Sequence, residues 1–167
     1  MNLWLWRTES PGAAGAPIDF SQNGEAEHGA RLSPNDKYLA YTSTVGGGVE
    51  VYVRPFPEGT GRMRISSAGG SAPVWGPDGK ELFFLENNTL MRVSVSTTGN
   101  FSFGTPERLF DQASAGPGQV PRYGFAGDGQ RFLTVETKRE FTEPRVRVVQ
   151  NWLEEFRHTL RSSTPGK

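Results

Sequence analysis

Apolar and polar residues alternate over short stretches of this chain, and one arrangement of them recurs at a long interval. Three twelve-residue segments align without gaps: LSPNDKYLAYTS from Leu32, WGPDGKELFFLE from Trp75 and FAGDGQRFLTVE from Phe125. Each has a bulky apolar residue, then a turn rich in Pro, Asx and Gly, then an apolar run typical of a β-strand. The first two segments begin 43 residues apart and the next two 50 apart. A recurring unit of this length indicates a repeat architecture.

Each repeat is predicted to hold up to four antiparallel strands. One strand precedes the turn, a second follows it, and a third and a shorter fourth alternate apolar with polar residues. These strands are 31–33, 38–44, 49–54 and 63–66 in the first unit, 73–75, 81–86, 89–95 and 107–110 in the second, and 123–125, 131–137 and 145–149 in the third. Four antiparallel strands per unit of this length are typical of a β-propeller blade. A β-sandwich also has closely spaced short strands, but it gives no reason for one motif to recur at a long period.

The predicted fold is therefore all-β, with about three propeller blades. The predicted units are 1–30, 31–72, 73–120 and 121–150. The first of them is predicted to be the end of an earlier blade, with strands at Leu3–Trp6 and Ile18–Phe20. Propellers close with typically four to eight blades. We therefore expect an open arc that belongs to a larger ring or associates with a second copy to complete six blades.

A short helix is predicted at 151–161, after the last strand. Asn151 and Glu154 fit the N-cap and N3 positions of a helix. Trp152, Phe156 and Leu160 then form one apolar stripe that suits docking on the propeller. The polar tail at 162–167 is predicted to be disordered.

The turn of each unit carries residues that tolerate a positive φ. The turn residues are Asn35 and Asp36, Asp78 and Gly79, and Asp128 and Gly129. The Asp-Gly pairs suit a two-residue hairpin loop, and the Asn-Asp pair suits it less well. Turn formation also accounts for the aspartates, because the loops lack the further acidic residues that calcium requires.

These turns and the strands after them resemble the TolB-type, WD-repeat-like propeller units, whose signature is W/F-S-P-D-G-K/R followed by a strand. The stretch from Val49 through WGPDGKELFF and the ending VRVVQNWLEEF further resemble the C-terminal propellers of bacterial serine/threonine kinase-associated sensor proteins. The similarity covers about residues 2–156. The departures are Asn35-Asp36 for Asp-Gly, Gly76 for Ser and Gly127 for Pro, and they concern only the geometry of the turns.

The balanced charge disfavours nucleic-acid binding, and the composition excludes several kinds of site. Lys and Arg number 18 and Asp and Glu also number 18, so no field attracts nucleic acid. Without cysteine the chain has no disulfide, zinc-thiolate site or thiol nucleophile. No stretch approaches the length of a membrane span, and MNLWLWRTES is too short for the apolar region of a signal peptide, so we expect neither membrane insertion nor a leader in this chain.

Candidate chemistry is sparse, and no catalytic, cofactor or metal site is predicted. His158 falls near the end of the predicted helix, where it complements the helix dipole. His28, beside Glu25 and Glu27, lacks a second histidine to form a metal site. Neither a GxSxG elbow nor a phosphate-binding loop occurs. A positive rim around one mouth of the ring is a candidate partner surface, and it would consist of Arg54, Arg62, Arg64 and Arg122.

The sequence favours a non-catalytic module that binds a protein, peptide or glycan through loops on a rigid scaffold. The resemblance implies the sensor part of a bacterial kinase-like receptor, which would place the propeller outside the cytoplasmic membrane. The alternative is a substrate-gating propeller of a serine peptidase or another propeller hydrolase. That alternative requires a catalytic domain elsewhere in the parent protein, because a fold alone does not supply chemistry.

Overall fold

The computed structural model of the protein describes residues 3–5, 8–10, 13–14, 16–19, 21, 26–57, 61–112, 123–126, 131–136 and 145–149. The strands in these residues are β1 Trp4–Leu5, β2 Thr8–Ser10, β3 Ala13–Ala14, β4 Ile18–Asp19, β5 Glu27–Leu32, β6 Tyr38–Ser43, β7 Glu50–Pro55, β8 Met63–Arg64, β9 Ser71–Trp75, β10 Glu81–Glu86, β11 Thr89–Ser96, β12 Ser102–Phe103, β13 Glu107–Asp111, β14 Tyr123–Phe125, β15 Phe132–Glu136 and β16 Arg145–Val149. A 3-10 turn occupies Val45–Gly47. Within this described part, no helix has the length and apolar character needed to cross a membrane. The helix predicted at 151–161 and the tail at 162–167 lie outside the described residues.

The strands form successive antiparallel sheets in chain order. We number the blades by the four predicted units, so that 1–30 belongs to blade 1. Blade 2 has the order β5-β6-β7-β8, blade 3 the order β9-β10-β11-β13, and blade 4 the order β14-β15-β16. In blade 3, β12 also pairs with the end of β11. Towards the N-terminus, β1 pairs with β4 and β2 with β3. This arrangement confirms the all-β fold of propeller blades in an open arc. The association with a second copy stays a prediction.

The innermost strands of blades 2 and 3 are longer than predicted, because each contains a β-bulge. The register of β5 against β6 shifts between His28 and Arg31, and Gly29 has a φ of 66° there. Ala72, at the same place in the next repeat, has a φ of 53° beside the shift in β9. A bulge inserts one residue and interrupts the alternation of the two faces. The sequence pattern therefore revealed each strand only after its bulge.

The turns between the first and second strands differ from the predicted two-residue loops. Ser33 N donates to Tyr38 O and Gly76 N donates to Glu81 O, each at 2.8 Å, so each loop has four residues. Positive φ occurs only at the third loop residue, 56° at Asp36 and 70° at Gly79. The proline that begins each loop has no N–H, so it cannot complete the hydrogen-bonded residue pair that closes a two-residue loop. Asp128 and Gly129 lie outside the described residues.

The core between blades 2 and 3 is apolar and is crossed by a hydrogen bond from Trp75. It is built from the buried residues Tyr38, Ala40, Val51, Val53 and Ile65 of blade 2 and Trp75, Leu82, Phe84, Val93 and Val95 of blade 3. Across this core, Trp75 Nε1 donates to the carbonyl of Arg31 at 2.9 Å. Buried indole N–H groups need such a partner. The bond therefore joins the innermost strands of two blades.

Blades 3 and 4 share a second apolar core. The Phe132 ring meets Phe83 edge-on at 5.2 Å and Phe110 edge-on at 5.9 Å. The Tyr123 hydroxyl donates to the carbonyl of Ala72 at 2.7 Å. Both described junctions, between blades 2 and 3 and between blades 3 and 4, therefore combine apolar packing with a hydrogen bond. In each, an aromatic side chain on the innermost strand of one blade donates to a carbonyl on the innermost strand of the preceding blade.

Replacing Trp75 by Phe tests the first of these bonds. We expect Trp75→Phe to lower the free energy of unfolding by about 2 kcal/mol, because the Arg31 carbonyl loses its donor and the smaller ring leaves a gap. Urea unfolding followed by circular dichroism measures the change. Trp4→Phe is the matched control, since Trp4 is 54% exposed and should change stability by no more than ~0.5 kcal/mol. Equal losses in both variants would contradict the role given to Trp75.

Replacing Tyr123 by Phe tests the second junction through pH. Burial raises the pKa of Tyr123 well above the ordinary value of 10.0, with Arg31 opposing. The folded chain keeps this proton at a pH where the unfolded chain loses it, so the free energy of unfolding decreases as the pH rises above about 10. Burial also raises the pKa of Tyr41, so part of that decrease remains without Tyr123.

We therefore expect Tyr123→Phe to lower stability by about 1 kcal/mol at neutral pH, through the lost hydrogen bond. Between about pH 10 and 11 its stability should decrease less steeply than that of the parent chain. Urea midpoints at neutral and alkaline pH measure both effects. If the stability of Tyr123→Phe decreased with pH as steeply as that of the parent chain, this would show that the Tyr123 phenol titrates equally in the folded and unfolded states.

Candidate functional site

A surface groove of about 620 Å³ lies at one end of blade 3 and is open to solvent. We call it the turn groove. It is lined by 78–81, which include the turn between β9 and β10, and by 94–98, which run from the end of β11 into the next loop. The lining residues are Asp78, Gly79, Lys80, Glu81, Ser94, Val95, Ser96, Thr97 and Thr98.

The alternation of β11 places hydroxyls in the turn groove. Val95 is buried in the core towards blade 2, whereas Ser94 and Ser96 are exposed. Successive side chains of a strand point to opposite faces, so the two serines share one face. Val95 N donates to Lys80 O at 2.8 Å, and this bond joins the end of β11 to the turn before β10. The serines therefore stand on regular, hydrogen-bonded backbone.

The loop that continues the groove wall is fastened to blade 2. Asn35 Nδ2 donates to Thr97 O at 3.3 Å and to Thr97 Oγ1 at 3.1 Å. The Tyr38 hydroxyl donates to Gly99 O at 2.9 Å. Gly79 lies beside Pro34, and a Cβ added to this glycine would be in ordinary van der Waals contact with the proline ring, at 3.5 Å. One wall of the turn groove is therefore fixed by the neighbouring blade.

The orientation of the Asn35 amide follows from its other contacts. Its Oδ1 accepts from the Ser33 hydroxyl at 2.8 Å and from Lys37 N at 3.2 Å. The oxygen therefore faces its own turn and the nitrogen faces Thr97. At the same repeat position Asp78 Oδ1 accepts from Lys80 N at 3.0 Å. The two side chains stabilise their own turns alike, but only the amide has a donor for the next blade.

The charges at the turn groove are mixed and mostly paired. Lys80 Nζ lies 3.9 Å from Asp78 Oδ2, and both side chains are largely exposed. Arg92 Nη1 lies 3.2 Å from Glu81 Oε1, and its Nη2 lies 2.7 Å from Glu107. Burial raises the pKa of Glu81, while Arg92 opposes that rise. The groove thus offers carboxylate and hydroxyl oxygens together with one ammonium group.

The prediction that Arg54 belongs to an exposed rim of arginines is wrong. That side chain is 2% exposed, its Nη2 lies 3.8 Å from Glu27 Oε2, and its guanidinium lies 4.9 Å from the centre of the Tyr41 ring. Strand β7 alternates Val51 and Val53 towards blade 3 with Arg54 on the opposite face, where Glu27 meets it. Arg54 is therefore an internal cation and not part of an exposed surface.

The other predicted rim residues are described in part. The Arg62 guanidinium lies 5.5 Å from the centre of the Tyr52 ring and is half-buried. Arg64 is exposed, and its Nη1 lies 3.8 Å from Glu50 Oε1. Arg122 lies outside the described residues. A rim formed by the remaining arginines stays a prediction.

Of the two histidines, His28 lies among the described residues. His28 is exposed on β5, whereas the preceding Glu27 is buried and points to the other face. His158 and Glu25 lie outside the described residues. In the described ranges, no three or more His, Cys, Asp or Glu side chains are grouped so that they would hold a metal ion.

Sequence reasoning missed the turn groove, although a signal was present. The run VSVSTT at 93–98 alternates two core valines with two serines and continues into two threonines. Hydroxyls on the outer face of a strand are common, so the alternation alone does not distinguish a site. The missing information was the long-range contact between Asn35 and Thr97.

An Asn35→Asp substitution tests how the groove wall is held. The carboxylate retains the acceptor for Lys37 N but places an oxygen, not a donor, against the Thr97 carbonyl. We expect about 1–2 kcal/mol lower stability and faster amide hydrogen exchange at Thr97–Gly99. Asp78→Asn is the matched control, because it keeps the acceptor for Lys80 N and should leave that exchange unchanged. Unaltered exchange in Asn35→Asp would show that another contact holds the loop.

Comparison with known proteins finds solved structures with a similar fold. No family model and no curated protein sequence matches the chain. TolB from Acinetobacter baumannii is similar with a TM-score of 0.55 and 18% identity, over 81% of this chain and 32% of that one. A protein described as TolB from Agrobacterium tumefaciens gives 0.59 and 18%, over 83% and 50%. A protein described as a 6-phosphogluconolactonase from Bacteroides uniformis gives 0.51 and 12%, over 89% and 48%.

These similarities concern the fold alone, because the identities are at most 18%. The chain spans about a third to a half of the length of the solved propellers, since it covers 32% of one and 50% of another. The order of four-stranded blades and the two TolB structures agree with the resemblance found in the turn motifs. The described blades therefore have the fold of part of a TolB-type β-propeller.

Proposed function

We propose that this protein is a non-catalytic binding module and that its ligand occupies the turn groove. The observation that carries the proposal is the attachment of the groove wall to blade 2 through Asn35 and Tyr38. Polar side chains held in place before a ligand arrives bind it with a smaller loss of conformational entropy. An open groove with fixed polar walls therefore suits recognition.

The charged groups of the groove favour binding over catalysis. A serine nucleophile needs a general base within hydrogen-bonding reach. Glu81 lies opposite Ser94 in register, but its carboxylate is engaged by Arg92. Asp78 is paired with Lys80 at the exposed turn. Groups used in this way supply hydrogen bonds and local charge, which is what a recognition surface requires.

The ligand classes that suit such a module are a protein, a peptide or a glycan. The resemblance of the stretch from Val49 through WGPDGKELFF and of VRVVQNWLEEF to kinase-associated propellers supports a role as the sensor part of a bacterial kinase-like receptor. In that role, ligand binding at the groove would be transmitted to a catalytic domain elsewhere in the parent protein. The alternative role, gating the substrate of a hydrolase, has no comparable support in the groove.

Nuclear magnetic resonance mapping tests the proposal with defined probes. The probes are a pool of heptapeptides and a pool containing chitotetraose and cellotetraose. We expect at least one pool to shift the amide signals of 78–81 and 94–98, because these residues line the groove. Ser96→Arg should abolish these shifts by filling the groove from an exposed strand position.

Thr44→Arg is the control for an added arginine. Thr44 is exposed, precedes the 3-10 turn and makes no capping hydrogen bond with its side chain. It lies in the loop between β6 and β7, at the other end of its blade from the turn at 34–37. Thr44→Arg should bind as the parent chain does. Shifts that persist in Ser96→Arg, or no shifts with either pool, would overturn the proposal.

A further inference from the structure

We infer that the turn groove binds an uncharged oligosaccharide, an inference that rests on the proposed function and specifies its ligand. Three properties of the groove point to this class of ligand. They are the hydroxyl and carboxylate lining, the excess of negative over positive groups, and the absence of a free strand edge among the lining residues.

The lining is dominated by groups that hydrogen-bond to sugar hydroxyls. Four of its nine residues carry hydroxyls, namely Ser94, Ser96, Thr97 and Thr98. A hydroxyl both donates and accepts, and a carboxylate accepts two bonds at once, which matches adjacent hydroxyls on a sugar ring. Asp78 supplies such a carboxylate at the mouth of the groove, where its side chain is 59% exposed.

The charge of the lining opposes anionic ligands. Asp78 and Glu81 are carboxylates, and Lys80 is the one cation among the lining residues. That ammonium lies 3.9 Å from Asp78, so the field of Lys80 at the groove is largely compensated. Glu81 is paired with Arg92, which also binds Glu107. The groove and its ion-pair partners therefore hold three carboxylates against two cations, Lys80 and Arg92. A phosphate or a uronic acid would meet this net negative charge. An uncharged ligand avoids this repulsion.

The backbone of the groove opposes recognition of a peptide by strand addition. Strand β11 pairs with β10 on one side, through Glu81 and Ser94. It pairs with β12 on the other side, through Ser96 and Ser102. Adding a peptide strand requires a free edge, and pockets for alternate side chains give it specificity. Val95 is the one apolar side chain of the lining, and it is buried in the core.

The dimensions fit a short segment of a longer sugar chain. The volume of about 620 Å³ falls within the roughly 300–1,000 Å³ of small-molecule sites. The groove is open, so a chain longer than the site extends into solvent at its ends. The fixed wall at Thr97 keeps its hydroxyl in place, since Thr97 Oγ1 accepts from Asn35 and retains its own proton for a ligand.

Affinity measurements with matched probes test this inference. Chitotetraose and cellotetraose are the uncharged probes, tetragalacturonate is the anionic probe, and the heptapeptide pool is the peptide probe. We expect an uncharged tetrasaccharide to bind and to shift the amides of 78–81 and 94–98. Asp78→Asn should weaken its binding roughly tenfold, because a charged acceptor becomes a neutral one. Ser96→Arg should abolish binding, and Thr44→Arg should leave it unchanged.

The outcomes separate this inference from the proposed function. If the peptides shift the groove signals and the tetrasaccharides do not, the binding module stands and the saccharide inference is overturned. Tighter binding of tetragalacturonate than of the uncharged probes would also overturn it. If no probe reaches the groove, both proposals fail. Circular dichroism of Asp78→Asn and Ser96→Arg confirms that each variant is folded before its binding is interpreted.

Discussion

The sheet of blade 3 has two apolar faces, and neither can remain in water. Leu82 and Phe84 pack towards blade 2, while Phe83 and Leu85 pack towards blade 4. Burial of apolar area supplies most of the stabilisation but has no preferred direction. The bonds from Trp75 to the Arg31 carbonyl and from Tyr123 to the Ala72 carbonyl supply that direction, since each fixes one innermost strand against the next. The geometry at the ends of the blades, including the groove, depends on this stacking.

The opposite face of blade 2 is buried by different chemistry. Tyr41 stacks on Tyr52 with 6.0 Å between ring centres, and the Arg54 guanidinium covers Tyr41. Glu27, fully buried, lies beside that cation. A buried ion pair contributes little net stability, because removing both charges from water costs about as much as their attraction returns. The burial of this face of blade 2 therefore includes a charged pair, whereas the cores that blade 3 shares with its neighbours are apolar.

Periodicity was sufficient to predict the blades but not the site. The strands after each turn were confirmed because apolar runs and turn residues are local signals. The beginning of β5 at Glu27 was missed because the bulge at Gly29 breaks the alternation. Arg54 was misplaced because its partner Glu27 is distant in sequence. The groove was not predicted because Asn35 reaches Thr97 only after the blades have stacked.

The turns of blades 2 and 3 share one backbone conformation, yet one closes against its neighbour and the other borders a groove. The side chains that distinguish them, Asn35 and Asp78, differ by an amide group in place of a carboxylate oxygen. The codons of these two amino acids differ by a single base. One nucleotide change is therefore enough to remove, at such a turn, the amide donor that reaches the next blade. The hydrogen bonds between neighbouring blades can thus change while the acceptor that stabilises each turn is kept.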